Sequence, residues 1–425
     1  VAARTLKIFS MGLVVGAVAM AAVADAAGPH RVRHCPQTGK LRVAMAPDVS
    51  ASGVWRRIIA RYPDPVEVVE VSPVADLQDA ETRAAAQAVT CPEFDVYALD
   101  VVSVAEYAAA GLLRELPPRP GLVERAAATG RWRGRQYALP FTTDVGLLYR
   151  RAELPEPRTW VELWAAARAV RTTGRAGLAA QLADYEGGTV NLLEMIRTRV
   201  VDRDGDVVLD EGDNAADAAR ALSQLAEAGR NGDLGASWSA KEADSLADFA
   251  AGKAGYLRHW PYAYHRLVTD GRVDFEVSPL PGTPALGGTN LAVDARSGRH
   301  EQALEFVEFL LRPDNQRDLF ACGGYAPVVE AAYRDVQPCS IAGSADSRPT
   351  PSVRQLTAFA KVLQEALARA DRPSLAHYAR FSQVFRQCVT HAVQEENTSE
   401  QRVRDMADAL RHAVDGRLTG DDLCG

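Results

Sequence analysis

From residue 41 the chain alternates short apolar runs with longer amphipathic stretches. Leu41–Ala46 (LRVAMA) reads as a strand, and a helix is predicted over 50–62. The segment PVEVVEVS at 65–72 alternates apolar and acidic positions with the period of two of a half-buried strand. A helix over 75–89, a strand at 94–99 (FDVYAL) and a helix from Ser103 that stops at Gly111 continue the order. Strand and helix in alternation predict a parallel sheet with helices on both faces. Ligands of such sheets gather beyond the carboxyl ends of the strands. The loops that begin at Pro47 and at Asp100 are therefore the first places to look for a site.

Further along, Pro117-Pro-Arg-Pro-Gly121 forms a rigid connector, and extended segments at 136–140 and 145–149 flank Phe141-Thr-Thr-Asp144. Thr159 is placed to cap a helix that runs through Trp164, and a second α/β region follows to about residue 286. A short apolar run returns at 291–293, then a helix at 302–311. The polar stretch SADSRPTPS at 344–352 reads as a crossover, and helices over 353–370, 378–395 and 399–418 complete the chain. A chain of 425 residues is too long for one ordinary core. Two lobes that exchange chain more than once fit it better.

The first residues change the picture of where the protein works. Arg4 and Lys7 precede an apolar run from Ile8 to Ala24, and Ala24-Asp25-Ala26 has the small-x-small pattern of a signal-peptidase site. Residues 1–26 thus read as a signal peptide, with a short membrane anchor as the alternative. Losing Arg4, Lys7 and Asp25 takes the formal charge from −7 to −8. A mildly acidic protein of this kind is not built for nucleic acid or an anionic membrane. Its six cysteines, Cys35, Cys91, Cys322, Cys339, Cys388 and Cys424, fit an oxidising compartment. None forms CxxC or sits near a His at metal-ligand spacing, so no metal site is expected. Pairing of sequence neighbours is expected: Cys35–Cys91, Cys322–Cys339 and Cys388–Cys424, with buried free thiols as the alternative. No lipobox precedes Cys35.

Candidate chemistry clusters beside predicted strand ends. Asp100 terminates one strand, and Asp144 follows Thr142-Thr143. Tyr185 and Glu186 precede Gly187-Gly188, read as a turn. Trp260, Pro261 and Tyr262 form an aromatic corner, and Gly287-Gly288-Thr289-Asn290 reads as a tight turn beside a strand. Carboxylates hold sugar hydroxyls by charge-assisted hydrogen bonds, and aromatic faces cover the apolar side of a pyranose. Each feature also has a plain structural reading: Asp100 as a helix cap, Trp260 as core, the glycine pair as a loop, Arg372-Pro373 as a helix stop.

Taken in order, these segments resemble the family 1 extracellular solute-binding proteins of ABC importers, in the maltose/trehalose-binding group. The likeness runs from about residue 40 to 415. It rests on Phe94-Asp-Val-Tyr-Ala-Leu-Asp100 with Ala105-Glu-Tyr-Ala-Ala-Ala-Gly111, Tyr137-Ala-Leu-Pro-Phe-Thr-Thr-Asp144, Thr159-Trp160-Val-Glu-Leu163, Tyr185-Glu186-Gly187 with Asn191, Phe249-Ala-Ala-Gly-Lys253 with Trp260-Pro261-Tyr262, Gly287-Gly288-Thr289-Asn290 and Arg372-Pro373. The resemblance is strongest to the trehalose-binding branch found in actinobacteria.

The resemblance implies a periplasmic-binding-protein-like α/β fold of type II, with two lobes, a hinge and an interlobe cleft. Lobe 1 is expected over 36–143 plus 288–345, and lobe 2 over 146–287 plus 350–425. Crossovers are expected near Thr143, about residue 287 and about residue 346. Asp100, Asp144, Glu186, Trp260, Tyr262, Gly288 and Arg372 are expected to face the ligand, with Tyr185, Asn191 and Gly287 as second choices. The implied function is non-enzymatic capture of a di- or oligosaccharide by hinge closure. The implied protein is exported, monomeric and free of cofactor, and hands its ligand to membrane permease subunits. Three rival readings stand beside it: the same fold on a glycerophosphodiester, polyamine or metal chelate; a glycoside hydrolase using two of Asp100, Asp144 and Glu186; and a structural or adhesive surface protein. No G-x-S-x-G, H-E-x-x-H, Walker or dinucleotide fingerprint supports an enzyme.

Overall fold

The computed structural model describes residues 39–50, 52–71, 92–341, 349–417 and 424. The expected signal peptide, the helix over 75–89, Cys35 and Cys91 lie outside the described residues.

In chain order the first group of elements is β1 (Leu41–Met45), α1 (Val54–Ile59), β2 (Val66–Glu70), β3 (Val96–Asp100), α2 (Ser103–Ala109), α3 (Glu124–Ala128), a small hairpin of β4 (Arg131–Trp132) and β5 (Arg135–Gln136), and β6 (Ala138–Val145). The second group is β7 (Leu147–Arg151), α4 (Trp160–Arg171), β8 (Ala176–Ala179), α5 (Glu186–Ile196), α6 (Asn214–Arg230), α7 (Glu242–Ala250), β9 (Ala254–His259), α8 (Tyr262–Asp270) and β10 (Phe275–Pro279). Then come β11 (Leu286–Val293), α9 (His300–Leu310), α10 (Pro313–Gly323), α11 (Glu330–Arg334), α12 (Val353–Arg369), α13 (Tyr378–Gln394) and α14 (Glu400–Val414). Local signals account for the boundaries. Thr159 accepts from the Glu162 amide at 3.1 Å and starts α4. Ser352 and Gln355 form a reciprocal capping box that starts α12 just after the polar crossover.

Two sheets result. One has the order β2-β1-β3-β11-β6 and the other β10-β7-β9-β8. Only the first three strands of the first sheet obey the parallel expectation. β11 runs antiparallel to both β3 and β6, so the sheet is mixed. The cause is topological: β11 enters from the second sheet instead of through a helical crossover.

The chain changes sheets abruptly. Gly146 alone separates β6 from β7, and its amide donates to Ala285 O at 3.3 Å on the returning segment. A third stretch joins this point, where the Leu286 amide donates to Asp371 O at 2.9 Å. The expected crossovers at Thr143 and 287 therefore fall inside β6 and β11, and the actual crossings are Gly146 and 280–285. The expected lobe boundary between 287 and 288 likewise cuts β11. Gly287 and Gly288 are strand residues, not a tight turn. The ladder instead shifts register between Thr289 and Asn290. The third expected crossover lies partly outside the described residues.

Each sheet has its own core. Val43, Ile58 and Phe306 belong to the first, and Leu163, Leu222, Phe381 and Phe385 to the second. A further cluster joins the halves, with Phe320 and Ala326 against Tyr264, Phe359 and Leu363. In it Tyr264 stacks on Phe359 with centroids 4.1 Å apart. Cys322 is bonded to Cys339 and Cys388 to Cys424, the neighbour pairs expected for those four.

Gly288 is the position where β11 tolerates no side chain. Its φ is +127°, and a Cβ would lie 2.4 Å from the Thr142 carbonyl oxygen. Gly288→Ala is expected to destabilise the protein by about 2 kcal/mol or more, read as a fall in the urea midpoint. An unchanged midpoint would show that β6 and β11 are not held this closely.

Candidate ligand-binding site

A cavity of about 1250 Å³ opens between the two halves. From the first half it is lined by the loop after β1 (Pro47, Asp48, Val49) and by Phe141, Thr142, Asp144 and Thr289. From the second it is lined by the start of α7 (Lys241, Glu242), by Trp260 and by Tyr262 with Arg266 on α8. Its size is above the roughly 300–1,000 Å³ usual for drug-sized ligands. It lies at the carboxyl end of β1, one of the two places the sequence pointed to.

The register of β11 organises the floor. Thr289 sits opposite Asp100 on β3 and opposite Thr142 on β6, while Gly287 sits opposite Asp144. One strand thus brings two carboxylates from separate segments to one end of the sheet. Asp144 is half-buried, and no described donor lies within hydrogen-bonding distance of its carboxylate. Its pKa is pushed up to about 7, mainly by burial and then by repulsion from Asp100, with Arg258 opposing the shift. Asp100 reaches solvent, yet the surrounding walls withdraw it from bulk water and raise its carboxyl above the usual range. Arg372 lowers it in turn, and Glu186 raises it. Its Oδ1 accepts from the Val102 amide at 3.2 Å in the turn before α2; the cap position of that helix is Val102, so Asp100 is not its N-cap.

Beside Asp100 stands a closed network. Glu186, at the first position of α5, pairs with Arg372 and accepts from Tyr378 Oη at 2.8 Å and from Ser382 Oγ. Arg372 also donates Nε to Tyr378 Oη at 3.0 Å and a guanidinium N–H to Leu286 O at 3.2 Å. These two charges neutralise each other at the junction of the halves. The second arginine of the region, Arg258, is fully buried and pairs with Glu194 through two bonds of 2.7 and 2.8 Å. Neither cation is free to meet an anion.

Trp260 follows β9, and Pro261 ends the strand and opens α8, so the predicted aromatic corner is real. The Arg258 guanidinium carbon lies 3.9 Å from the centroid of the Trp260 ring. Trp260 Nε1 reaches Glu242 Oε1 at 3.5 Å, and the ring edge lies against Gly287. Tyr262 packs edge-on against His259.

Of the expected residues, Asp144, Trp260 and Tyr262 line the cavity. Asp100, Glu186 and Arg372 meet at the adjoining end of the sheet, and Gly287 and Gly288 form the β11 backbone between the two groups. Asn191 corrects its expectation. It is fully buried, donating to Gln181 Oε1 at 3.2 Å and to Gly187 O at 2.8 Å, and offers no atom to the cleft. Gly187 and Gly188 correct theirs too, since they lie in the first turn of α5 and not in a loop. Tyr185 folds its ring over Gly187 with Lys241 above it, and its hydroxyl is buried.

Sequence reasoning missed Asp48, Arg266 and Tyr325. Asp48 accepts from Tyr325 Oη at 2.8 Å and from the Ser50 amide at 2.9 Å, fixing the loop after β1. Arg266 donates Nε to Val49 O at 3.1 Å, bridging the two halves at the cavity edge. Only the Pro47 loop carried a signal, and the other two are ordinary helix and loop residues in sequence.

Asp144 makes stability depend on pH. A carboxyl whose folded pKa of about 7 exceeds its unfolded value binds its proton more tightly when folded. Stability therefore falls as pH rises from about 4 through 7. Asp144→Asn is expected to be more stable than the wild type at pH 8, on the order of 2 kcal/mol, with the gain fading toward pH 5. Thermal melts of both proteins across that range check it; a constant difference would contradict the assignment.

Residues 64–342 match the family model of bacterial extracellular solute-binding proteins. A probable ABC transporter-binding protein of Deinococcus radiodurans is 29% identical over 228 residues, 48% of this chain and 53% of that one. The match thus spans about half the length of that curated relative. Maltose-bound MalE3 of T. maritima superposes with a TM-score of 0.74 at 26% identity, covering 88% of this chain and 99% of that one. UgpB of Mycobacterium tuberculosis, in complex with glycerophosphocholine, gives 0.70 at 19% identity over 89% and 99%; at that identity the likeness is one of fold. With the matched model covering well over half its length, a mixed α/β architecture in two halves and a cavity between them, the chain belongs to the bacterial extracellular solute-binding proteins.

Proposed function

We propose that this protein is the ligand-capturing component of an ABC importer and that its ligand is a neutral di- or oligosaccharide of the maltose or trehalose kind. The observation that carries the sugar reading is the pairing of Trp260 and Tyr262 with an unpartnered Asp144 on the wall of one large cavity. A carboxylate with free lone pairs accepts from vicinal hydroxyls, and the aromatic rings cover C–H faces. A phosphodiester is disfavoured because Arg258 and Arg372 are each already neutralised by a glutamate, while Asp100 and Asp144 add negative charge. Capture needs no reaction step. A ligand touching both halves favours the closed arrangement because only there are all its contacts made.

On this reading the protein is exported, residues 1–26 being removed, and works as a monomer outside the cytoplasm with membrane permease subunits as partners. Asp100, Asp144, Glu186, Trp260, Tyr262, Gly288 and Arg372 form the site, directly or by holding its floor. One observation favours a second reading. Asp100 and Asp144 repel each other, and among the described residues neither is ion-paired, an arrangement that a polyamine would complement.

Isothermal titration separates the two. Maltose, trehalose and maltotriose are expected to give saturable heat, and spermidine and glycerophosphocholine none. Heat from spermidine alone would favour the polyamine, and heat from glycerophosphocholine alone would overturn both. For the sugar that binds, Trp260→Ala is expected to weaken affinity at least about tenfold, or about 1.4 kcal/mol. Unchanged affinity would remove that ring from the site.

A further inference from the structure

We propose that the buried Arg258–Glu194 pair is a positioning device that couples the Trp260 ring to the hinge, so that the ring's orientation and the angle between the halves are set by one group. The proposal rests on the reading above that the halves close on a ligand held in part by Trp260.

The geometry places this pair against the Trp260 ring and both crossovers at once. Toward the cavity, Arg258 lies 3.9 Å from the Trp260 ring centroid. Toward the returning crossover, Glu194 Oε1 accepts from the Ala285 amide at 2.8 Å while also accepting from Arg258 at 2.8 Å. Toward the outgoing crossover, a Cβ on Gly146 would lie 2.1 Å from the same oxygen, so the backbone there runs directly past it. One carboxylate oxygen thus holds the returning crossover by a hydrogen bond and lies against the outgoing one. Neither side chain reaches solvent, with 0% and 1% of the arginine and glutamate side chains exposed.

The pair is also braced from the far side. Gln181 Nε2 donates to Arg258 O at 2.8 Å, its Oε1 lies 3.4 Å from Arg258 Nη1, and Asn191 donates to the same Oε1. Asn191 in turn holds Gly187 O in the first turn of α5, the turn that presents Glu186. The chain of bonds therefore runs from Trp260 through Arg258 and Glu194 to Ala285, with a branch to the Glu186 end of the site. A rotation of the halves must change backbone angles at Gly146 or within 280–285. Such a change moves the Ala285 amide relative to Glu194, and the guanidinium under Trp260 moves with its partner. A buried pair of this type is often no more stabilising than apolar residues of the same volume. Coupling gives it a role that packing alone does not.

Three variants test this: Glu194→Gln, Arg258→Lys, and the double variant Glu194→Leu with Arg258→Met, which removes both charges together and guards against misfolding. Each is made with and without Trp260→Phe, so that the emission of Trp260 is isolated by difference. Small-angle scattering of ligand-free protein reports the spread of the halves. For the double variant, folded by circular dichroism, the expected result is a red-shifted Trp260 emission together with a larger radius of gyration than wild type. Glu194→Gln is expected to weaken binding of the sugar identified by titration at least tenfold, and Arg258→Lys, which keeps the charge, to weaken it less. A folded double variant with wild-type emission and wild-type scattering would overturn the coupling. These two readouts need no sugar, so failure of the ligand assignment leaves them decisive and is seen separately in the titrations.

Discussion

The arrangement depends on a single residue, Gly146, that carries the chain from one sheet to the other without a loop, held to Ala285 as the chain returns. Two antiparallel passes at this point fix the line about which the halves can turn. They also fix where a site can be built, because Asp144 lies two residues before the crossing and Gly287 two after Ala285. The cleft is thus not an accident of two domains lying side by side. It is the space left where β6 and β11 leave one sheet for the other.

Around this line the charges are divided in a consistent way. Behind the cleft they are matched: Arg258 with Glu194, and Arg372 with Glu186, with every pair braced by further donors. Facing the cavity, Asp144 has no hydrogen-bonding partner among the described residues, and at the adjoining end of the sheet Asp100 gives one oxygen to the Val102 amide. Buried charges left single are costly, and the raised Asp144 pKa has the same cause, burial together with repulsion from Asp100. Groups held in an unsatisfied state beside aromatic surface are the mark of a surface meant to be covered by something else.

Much of this was legible in the chain. Alternating strand and helix patterns located β1, β2 and β3, and Thr159 and the last three helices appeared within a few residues of their places, because each rests on local capping and periodicity. The Trp260-Pro261-Tyr262 corner was legible because proline has one backbone role there. What remained hidden was long-range. Nothing local says that β11 inserts between β3 and β6, and so Gly287-Gly288 looked like a turn when it is a strand that must pass against Thr142. Asn191 looked like a ligand contact because motif order does not record which way a helix faces. Arg258 and Glu194, 64 residues apart, meet only when α5 packs behind β9. Arg266 and Tyr325 are commonplace in sequence and matter only through Val49 and Asp48.

The place of β11 has a consequence for how the molecule is made. Residues 96–100 and 138–145 cannot pair with each other, since the strand that belongs between them is made only at 286–293. Until β11 is made, β3 keeps one open edge beside β1 and β6 has no partner in the sheet, the kind of surface on which chains stick together. The second sheet, whose four strands lie within 147–279, is complete sooner. The sheet whose first strand emerges earliest from the ribosome is therefore the sheet that is completed last.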